Sequence, residues 1–225
     1  MKKRKFTALL LIGVLLLVSC STMNNTTKGG VIGGGSGAAA GAIIGGLVGK
    51  GKGAAIGAAI GAAVGTGTGV IIGRKMDKKA AEAAKIEGAQ VQTVTDTNGL
   101  SAVKVTFDSG ILFGFNSSAL SNTSKASLRD LARILKEDQT TDIAITGHTD
   151  KVGTYEANIK VSKDRAYAVE NYLQECGVSP SQFKKVEGVG YNEYDDTMTA
   201  TQNRRVDIYM YASEQMIKNA ETTGK

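Results

Sequence analysis

Glycine recurs at every fourth position over a long stretch near the amino end, and this regularity restricts what that stretch can form. A four-residue period is close to one helical turn and differs from the three-residue period of collagen. Glycine at every fourth residue also lets the backbones of two helices approach closely. The pattern predicts a glycine-zipper helical segment over residues 29–73. The glycines that follow the period are Gly29, Gly33, Gly37, Gly41, Gly45, Gly49, Gly53, Gly57, Gly61, Gly65, Gly69 and Gly73.

Two lysines, Lys50 and Lys52, divide this segment into apolar runs at 29–49 and 53–73. Each run would extend about 31 Å as a helix, which is close to the hydrocarbon thickness of a bilayer. One interpretation is a helical hairpin that inserts in a membrane or oligomerises there. The other is a flexible linker, since glycine is a poor helix former in water. The apolar and regular composition favours the zipper, because flexible linkers are usually polar.

Residues 1–19 have the pattern of a secretory signal. The basic residues at 2–5 precede an apolar run, Phe6–Val18. This run is too short to count as a membrane span by itself, so the pattern predicts a signal that is removed on export.

The sequence that ends at Cys20 resembles a bacterial lipobox. That resemblance implies cleavage before Cys20, a lipid on this cysteine, and a linker over residues 20–28. Ser21 follows the cysteine where aspartate would favour retention in the inner membrane, so the resemblance implies sorting to the outer membrane. Cys176 is the other cysteine, and a lipidated Cys20 leaves no intrachain disulfide.

The positive charge of the chain derives largely from the signal. The whole sequence has 27 basic and 21 acidic residues, and four of the basic residues precede Cys20. Their removal leaves 23 against 21, which changes the formal net charge from +6 to +2. The composition therefore gives no support for nucleic-acid binding.

The remainder of the chain predicts one α+β domain over residues 91–212. Short runs of alternating apolar residues predict strands, and helical patterns lie between them. An Ala-rich, charged run at 74–90 predicts a helical connector before the domain. Residues 213–225 predict a fraying tail.

Polar side chains interrupt an otherwise apolar helix face in this domain. The strand predicted at 142–147 is followed by Asp150, and the helix predicted at 155–176 carries Asn158 and Arg165 on its core face. Buried polar groups are costly unless paired. One interpretation is an internal ion pair between Asp150 and Arg165 that closes the domain. The other is a partly open pocket in which the two charges bind a zwitterionic ligand.

Four separated motifs resemble the OmpA C-terminal-like peptidoglycan-binding domain family. They are Phe115-Asn116-Ser117, Gly147-His148-Thr149-Asp150 with the following Asn158 and Arg165, Gly188-Val189-Gly190, and Asn203-Arg204-Arg205-Val206. Their order makes the resemblance specific, although the proline usual after the third motif is replaced by the run Tyr191–Asp196. The resemblance implies a β-α-β-α-β sandwich in which a mixed sheet packs on helices.

The same resemblance implies binding of the peptidoglycan stem peptide at its diaminopimelate residue. By position, Asp150 and Arg165 would hold the amino and carboxylate groups. Asn116 and Asn158 would add hydrogen bonds, and Arg204 would lie at the rim.

These observations predict a non-enzymatic lipoprotein of the outer membrane, with its domain facing the periplasm and bound to peptidoglycan. No cofactor, metal or catalytic residue is expected. A wall hydrolase is disfavoured because His148 is the only histidine in the chain, too few for a His-rich zinc site. The alternative function is a glycine-zipper homo-oligomer with a pore or assembly role, in which the OmpA-like domain serves as tether.

Overall fold

The computed structural model describes residues 66–96, 98–113 and 117–224. The predicted signal, the lipidation site Cys20, most of the glycine zipper and the predicted site residue Asn116 lie outside these residues. The described helices are α1 (Thr66–Ala83), α2 (Ser109–Leu112), α3 (Asn122–Glu137), α4 (Tyr155–Glu175), α5 (Ala200–Asn203) and α6 (Glu214–Thr223). The strands are β1 (Ala89–Thr95), β2 (Ser101–Asp108), β3 (Thr141–Gly147), β4 (Phe183–Gly188) and β5 (Arg205–Ala212).

The five strands form one mixed sheet in the order β1-β2-β5-β3-β4. Strand β3 pairs with β4 in parallel, and the other neighbouring pairs are antiparallel. The parallel pair requires a crossover, which α4 provides. Alternate residues of β2, namely Val103, Val105 and Phe107, are fully buried against the helices. The predicted α+β fold, a mixed sheet packed on helices, is confirmed.

The core extends beyond both ends of the predicted domain. Helix α1 begins inside the segment predicted as zipper, and its Ile72 and Met76 are fully buried in the main core. Residues 74–90 are therefore not an isolated connector, because their helix covers β1 and β2. None of the described helices is long and apolar enough to cross a bilayer.

The prediction of a fraying tail at 213–225 is wrong. Ser213 caps α6 by accepting a hydrogen bond from the backbone of Met216. Met216, Ile217 and Ala220 lie on one face of this helix and are buried in the core. The apolar face covers little more than one turn, which is why the sequence pattern was weak. Together α6 and α1 close the domain.

The opposite face of the sheet carries a buried carboxylate, Asp207, beside a lysine, an arginine and a histidine. Its Oδ2 lies 3.0 Å from Lys104 Nζ, 3.1 Å from His148 Nε2 and 3.1 Å from Arg205 Nε. Its Oδ1 accepts a hydrogen bond of 2.7 Å from the Thr106 hydroxyl. Burial by itself raises the pKa of Asp207. Contact with His148, Lys104 and Arg205 lowers the pKa by more, so that its net value is well below the usual one. Asp207 is therefore an ionised structural hub.

We expect Asp207→Asn to lower the free energy of unfolding by about 2 kcal/mol at pH 7, since it leaves buried donors without a charged acceptor. A depressed folded-state pKa stabilises the protein above the unfolded pKa, near 3.8, and this contribution is lost as the pH falls further. The difference in the free energy of unfolding between the wild type and Asp207→Asn should therefore be smaller at pH 3 than at pH 7. Urea unfolding of both proteins at the two pH values measures this difference. A cost that is independent of pH would contradict the assignment.

Candidate functional site

Two glycines allow helix α4 to lie directly on the sheet. A Cβ at Gly147 would overlap the backbone carbonyl of Ser162, and a Cβ at Gly188 would overlap the backbone nitrogen of Lys163. The Ser162 hydroxyl also accepts a hydrogen bond of 3.0 Å from the backbone N–H of Gly190. The close approach fixes α4 beside the ends of β3 and β4. It thereby sets the position of the polar residues that α4 carries.

An open cleft of about 750 Å³ lies at this end of the sheet. Its walls come from α2, the loop at 149–153, the first half of α4 and the residue before β5. Four predicted site residues, Asp150, Asn158, Arg165 and Arg204, line it together. The other lining residues are Ser109, Gly110, Phe113, Thr149, Val152, Gly153, Ala157 and Val161.

The carboxylate of Asp150 is paired with Arg204, at 2.6 Å between Oδ2 and Nη1. Of the two interpretations of Asp150 and Arg165, the internal ion pair between them is therefore not the one observed. The reason is the strand register, because β3 pairs with β5 and the backbone N–H of His148 donates to the carbonyl of Arg205. This pairing places the segment that follows β3 beside Arg204. Asp150 Oδ1 accepts from the backbone N–H of Val152 at 3.1 Å, which orients the carboxylate.

Arg165 is 7% exposed, and its guanidinium lies 5.2 Å from the ring centroid of Phe113. Its Nε donates to the carbonyl of Ser117 at 3.2 Å. Burial lowers the pKa of Arg165, and the positive charge of Arg204 lowers it further, while Asp150 raises it. Within the described part of the chain, no carboxylate lies within 4 Å of this guanidinium. Arginine keeps its charge in proteins, so the cleft contains a largely buried cation that is not neutralised by a direct partner.

Asn158 holds the loop that forms one wall of the cleft. Its Nδ2 donates to the carbonyls of Val152, at 2.9 Å, and Thr154, at 3.0 Å. Both amide hydrogens are thus used within the protein. The group that Asn158 retains for a ligand is its Oδ1 acceptor.

Sequence reasoning did not identify the aromatic and backbone contacts of Arg165. Phe113 directly follows α2 and forms an isolated β-bridge with Leu120, and no helical or strand periodicity relates it to α4. The carbonyl of Ser117 carries no sequence signal, because every residue has one. The described ranges contain no group of three His, Cys, Asp or Glu side chains close enough to hold a metal ion.

Comparisons with known proteins identify two regions. Residues 112–207 match the model of the OmpA family, and residues 1–77 match the model of the YMGG-like Gly-zipper. The predicted resemblance to OmpA-like domains with a glycine zipper is confirmed. Residues 112–207 are thus similar to the OmpA family, and the amino-terminal region that precedes them is similar to glycine-zipper proteins.

Individual relatives match part of the chain. Outer membrane porin F of Pseudomonas aeruginosa is 36% identical over 126 residues, which cover 52% of this chain and 35% of that protein. A protein of Buchnera aphidicola named peptidoglycan-associated lipoprotein is 37% identical over 76 residues, covering 34% of this chain and 44% of its own length. The match therefore spans less than half of either relative.

A solved MotB-like protein from Desulfovibrio vulgaris has the same fold. Its TM-score is 0.52 at 20% identity, and the match covers 62% of this chain and 92% of that structure. At this identity the similarity concerns the fold alone.

Proposed function

We propose that the OmpA family domain of this chain binds peptidoglycan without catalysis, at the diaminopimelate residue of the stem peptide. The observation that carries the proposal is the nearly buried Arg165, which lines an open cleft and has no carboxylate partner among the residues that the structure describes. A buried charge is costly unless it is paired. An anionic group of a ligand would provide the missing partner through the guanidinium fork.

The charges around the cleft fit a ligand with both signs. Diaminopimelate ends in an amino group and a carboxylate on the same carbon atom. In this proposal Arg165 would bind the carboxylate, and Asp150 would accept from the ammonium group. Each charge-assisted hydrogen bond would contribute roughly 1.5–3 kcal/mol.

Binding of the ammonium group requires a change at Asp150, because Arg204 already contacts this carboxylate. The Arg204 side chain is 38% exposed and can move toward solvent or share the carboxylate with the ligand. Asp150 is held by the backbone N–H of Val152 and need not move. Arg204 would therefore be the counter-ion of Asp150 in the free protein and a rim residue when the ligand is bound.

The remaining features of the chain support a role as an anchor between outer membrane and wall. The predicted lipid on Cys20 would hold the amino end in the outer membrane, with the domain in the periplasm. Two relatives with the same domain are named as an outer-membrane porin and a peptidoglycan-associated lipoprotein. The zipper region would connect the lipid to the domain.

A competition experiment tests the ligand. The full chain, purified in detergent, should sediment with isolated peptidoglycan sacculi. A free stem peptide containing diaminopimelate should release it, whereas the same peptide with lysine should not, since lysine lacks the second carboxylate. Equal competition by both peptides would exclude recognition of the zwitterionic end. Failure to sediment would exclude wall binding.

A Cys20→Ala variant serves as the control for the lipid anchor. It should leave the membrane fraction in cells, because cysteine is the only residue that can accept the lipid there. Its sedimentation with sacculi and its release by the diaminopimelate peptide should equal those of the wild type. Retention in the membrane fraction would instead support insertion by the zipper region.

Oligomerisation of the zipper region is the second candidate function. The match of residues 1–77 to the Gly-zipper model and the four-residue glycine period favour it. Crosslinking of the full chain in membranes distinguishes the two functions, since a simple tether would stay monomeric.

A further inference from the structure

A group of three tyrosines and two polar side chains lies next to the cleft and has no role in the site described above. It consists of Tyr155 at the start of α4, Tyr191, Asn192 and Tyr194 in the loop before α5, and Lys151. We call this group the aromatic shoulder. Its loop is the run that replaces the proline usual in the OmpA family pattern.

Side-chain contacts hold the aromatic shoulder in place. The rings of Tyr155 and Tyr191 pack edge to face, with centroids 5.7 Å apart. Asn192 Nδ2 donates to the Tyr155 hydroxyl at 3.1 Å. Lys151 Nζ lies 4.2 Å from the ring centroid of Tyr194 and 2.9 Å from a carboxylate oxygen of Asp196. The loop is therefore tied to the start of α4 and to the segment that contains Asp150.

The aromatic shoulder is partly exposed, and in the chain its Lys151 lies between Asp150 and Val152, which both line the cleft. Tyr155 is 44% exposed, and Val152, which lines the cleft, is 78% exposed. Lys151 follows Asp150 directly in the chain. Exposed apolar surface with polar groups at its edge is typical of binding sites, and tyrosine combines a flat apolar ring with a polar end.

We propose that the aromatic shoulder binds an amino sugar of the glycan strand to which the stem peptide is attached. The apolar C–H face of a pyranose ring packs on an aromatic ring such as that of Tyr155. Hydroxyl and acetamido groups at the edge of the sugar can bond to Asn192 and Lys151. This inference rests on the proposed function, because the cleft must first hold the stem peptide.

The length of the stem peptide is compatible with this arrangement. Diaminopimelate is separated from the sugar by two residues and a lactyl group. An extended peptide advances about 3.5 Å per residue, so the sugar would lie roughly 10 Å from the bound diaminopimelate. Surface immediately outside the cleft is therefore the surface that the sugar meets.

Calorimetric titration of the full chain in detergent tests the proposal with two ligands. One is the free tripeptide with diaminopimelate at its end, and the other is the same peptide attached to its disaccharide. The wild type should bind the disaccharide peptide about threefold to tenfold more tightly, as expected for one added aromatic contact. Tyr155→Ala should remove this difference and leave the affinity for the free tripeptide unchanged.

Two further variants make the test specific. Tyr167→Ala removes another tyrosine of α4 with similar exposure, 39%, that lies outside the aromatic shoulder, and it should behave as wild type. Tyr155→Phe keeps the ring but loses the hydroxyl that accepts from Asn192. It should retain at least half of the preference for the disaccharide peptide over the free tripeptide, which would show that the ring and not the hydrogen bond provides the preference.

The outcomes separate the two proposals. If the wild type binds both ligands equally, or if Tyr155→Ala keeps the preference for the disaccharide peptide, the sugar site is wrong and the peptide site stands. If neither ligand binds to the folded wild type, the proposed function itself is wrong.

Discussion

Asp150→Asn is expected to weaken binding of a diaminopimelate stem peptide by about tenfold to a hundredfold, which corresponds to one charge-assisted hydrogen bond. Asparagine keeps the size of the side chain and an oxygen that can accept from the backbone N–H of Val152. It loses the negative charge that attracts the ligand ammonium group. Calorimetric titration of the full chain measures the change.

The stability of this variant should be close to that of the wild type. The lost ion pair with Arg204 is partly exposed, and such pairs contribute at most about 1 kcal/mol. Asp164→Asn provides a matched control, because Asp164 is an exposed carboxylate of α4 that pairs with Lys160. It should not change the affinity. Wild-type affinity in a folded Asp150→Asn protein would show that Asp150 is only a structural partner of Arg204.

The composition of the candidate site followed from the sequence, but its pairing did not. Helical periodicity places Asn158 and Arg165 on one face of α4, and this is a local property of the chain. The pairing of Asp150 with Arg204 depends on the register between β3 and β5, which are separated in the chain by α4, β4 and α5. A sequence pattern does not specify such a register. The sequence therefore indicated the charged residues, but neither of its two interpretations included the ion pair between Asp150 and Arg204.

The domain boundaries were mispredicted for a related physical reason. Helix α1 carries Gly69 and Gly73, so its sequence continues the four-residue glycine period and is predicted to be part of the glycine zipper. Both glycines are nevertheless buried in the folded domain. Small residues allow close packing against a membrane partner or against a sheet, and the period does not distinguish the two. Only the burial of Ile72 and Met76 in the core shows that the start of α1 belongs to the domain.

The sheet ends at Gly147 and Gly188 should be the positions least tolerant of any added side chain. We expect Gly188→Ala to lower the free energy of unfolding by more than about 3 kcal/mol, beyond the usual range for overpacking. The cause is that the new Cβ would meet backbone atoms of Lys163, which cannot rotate away as a flexible side chain can. Gly147→Ala should act similarly through the carbonyl of Ser162.

Gly110→Ala is the matched control, since a Cβ at this position meets no atom within 4 Å. It should leave the stability unchanged or raise it slightly, because alanine is a better helix former. Urea unfolding of the three variants measures the differences. A stable Gly188→Ala protein would have to move α4 away from the sheet, which would shift Arg165 relative to Asp150. Such a protein should therefore lose affinity for the stem peptide. If Gly188→Ala instead kept both the stability and the affinity of the wild type, the close contact of α4 with the sheet would not be what positions the site.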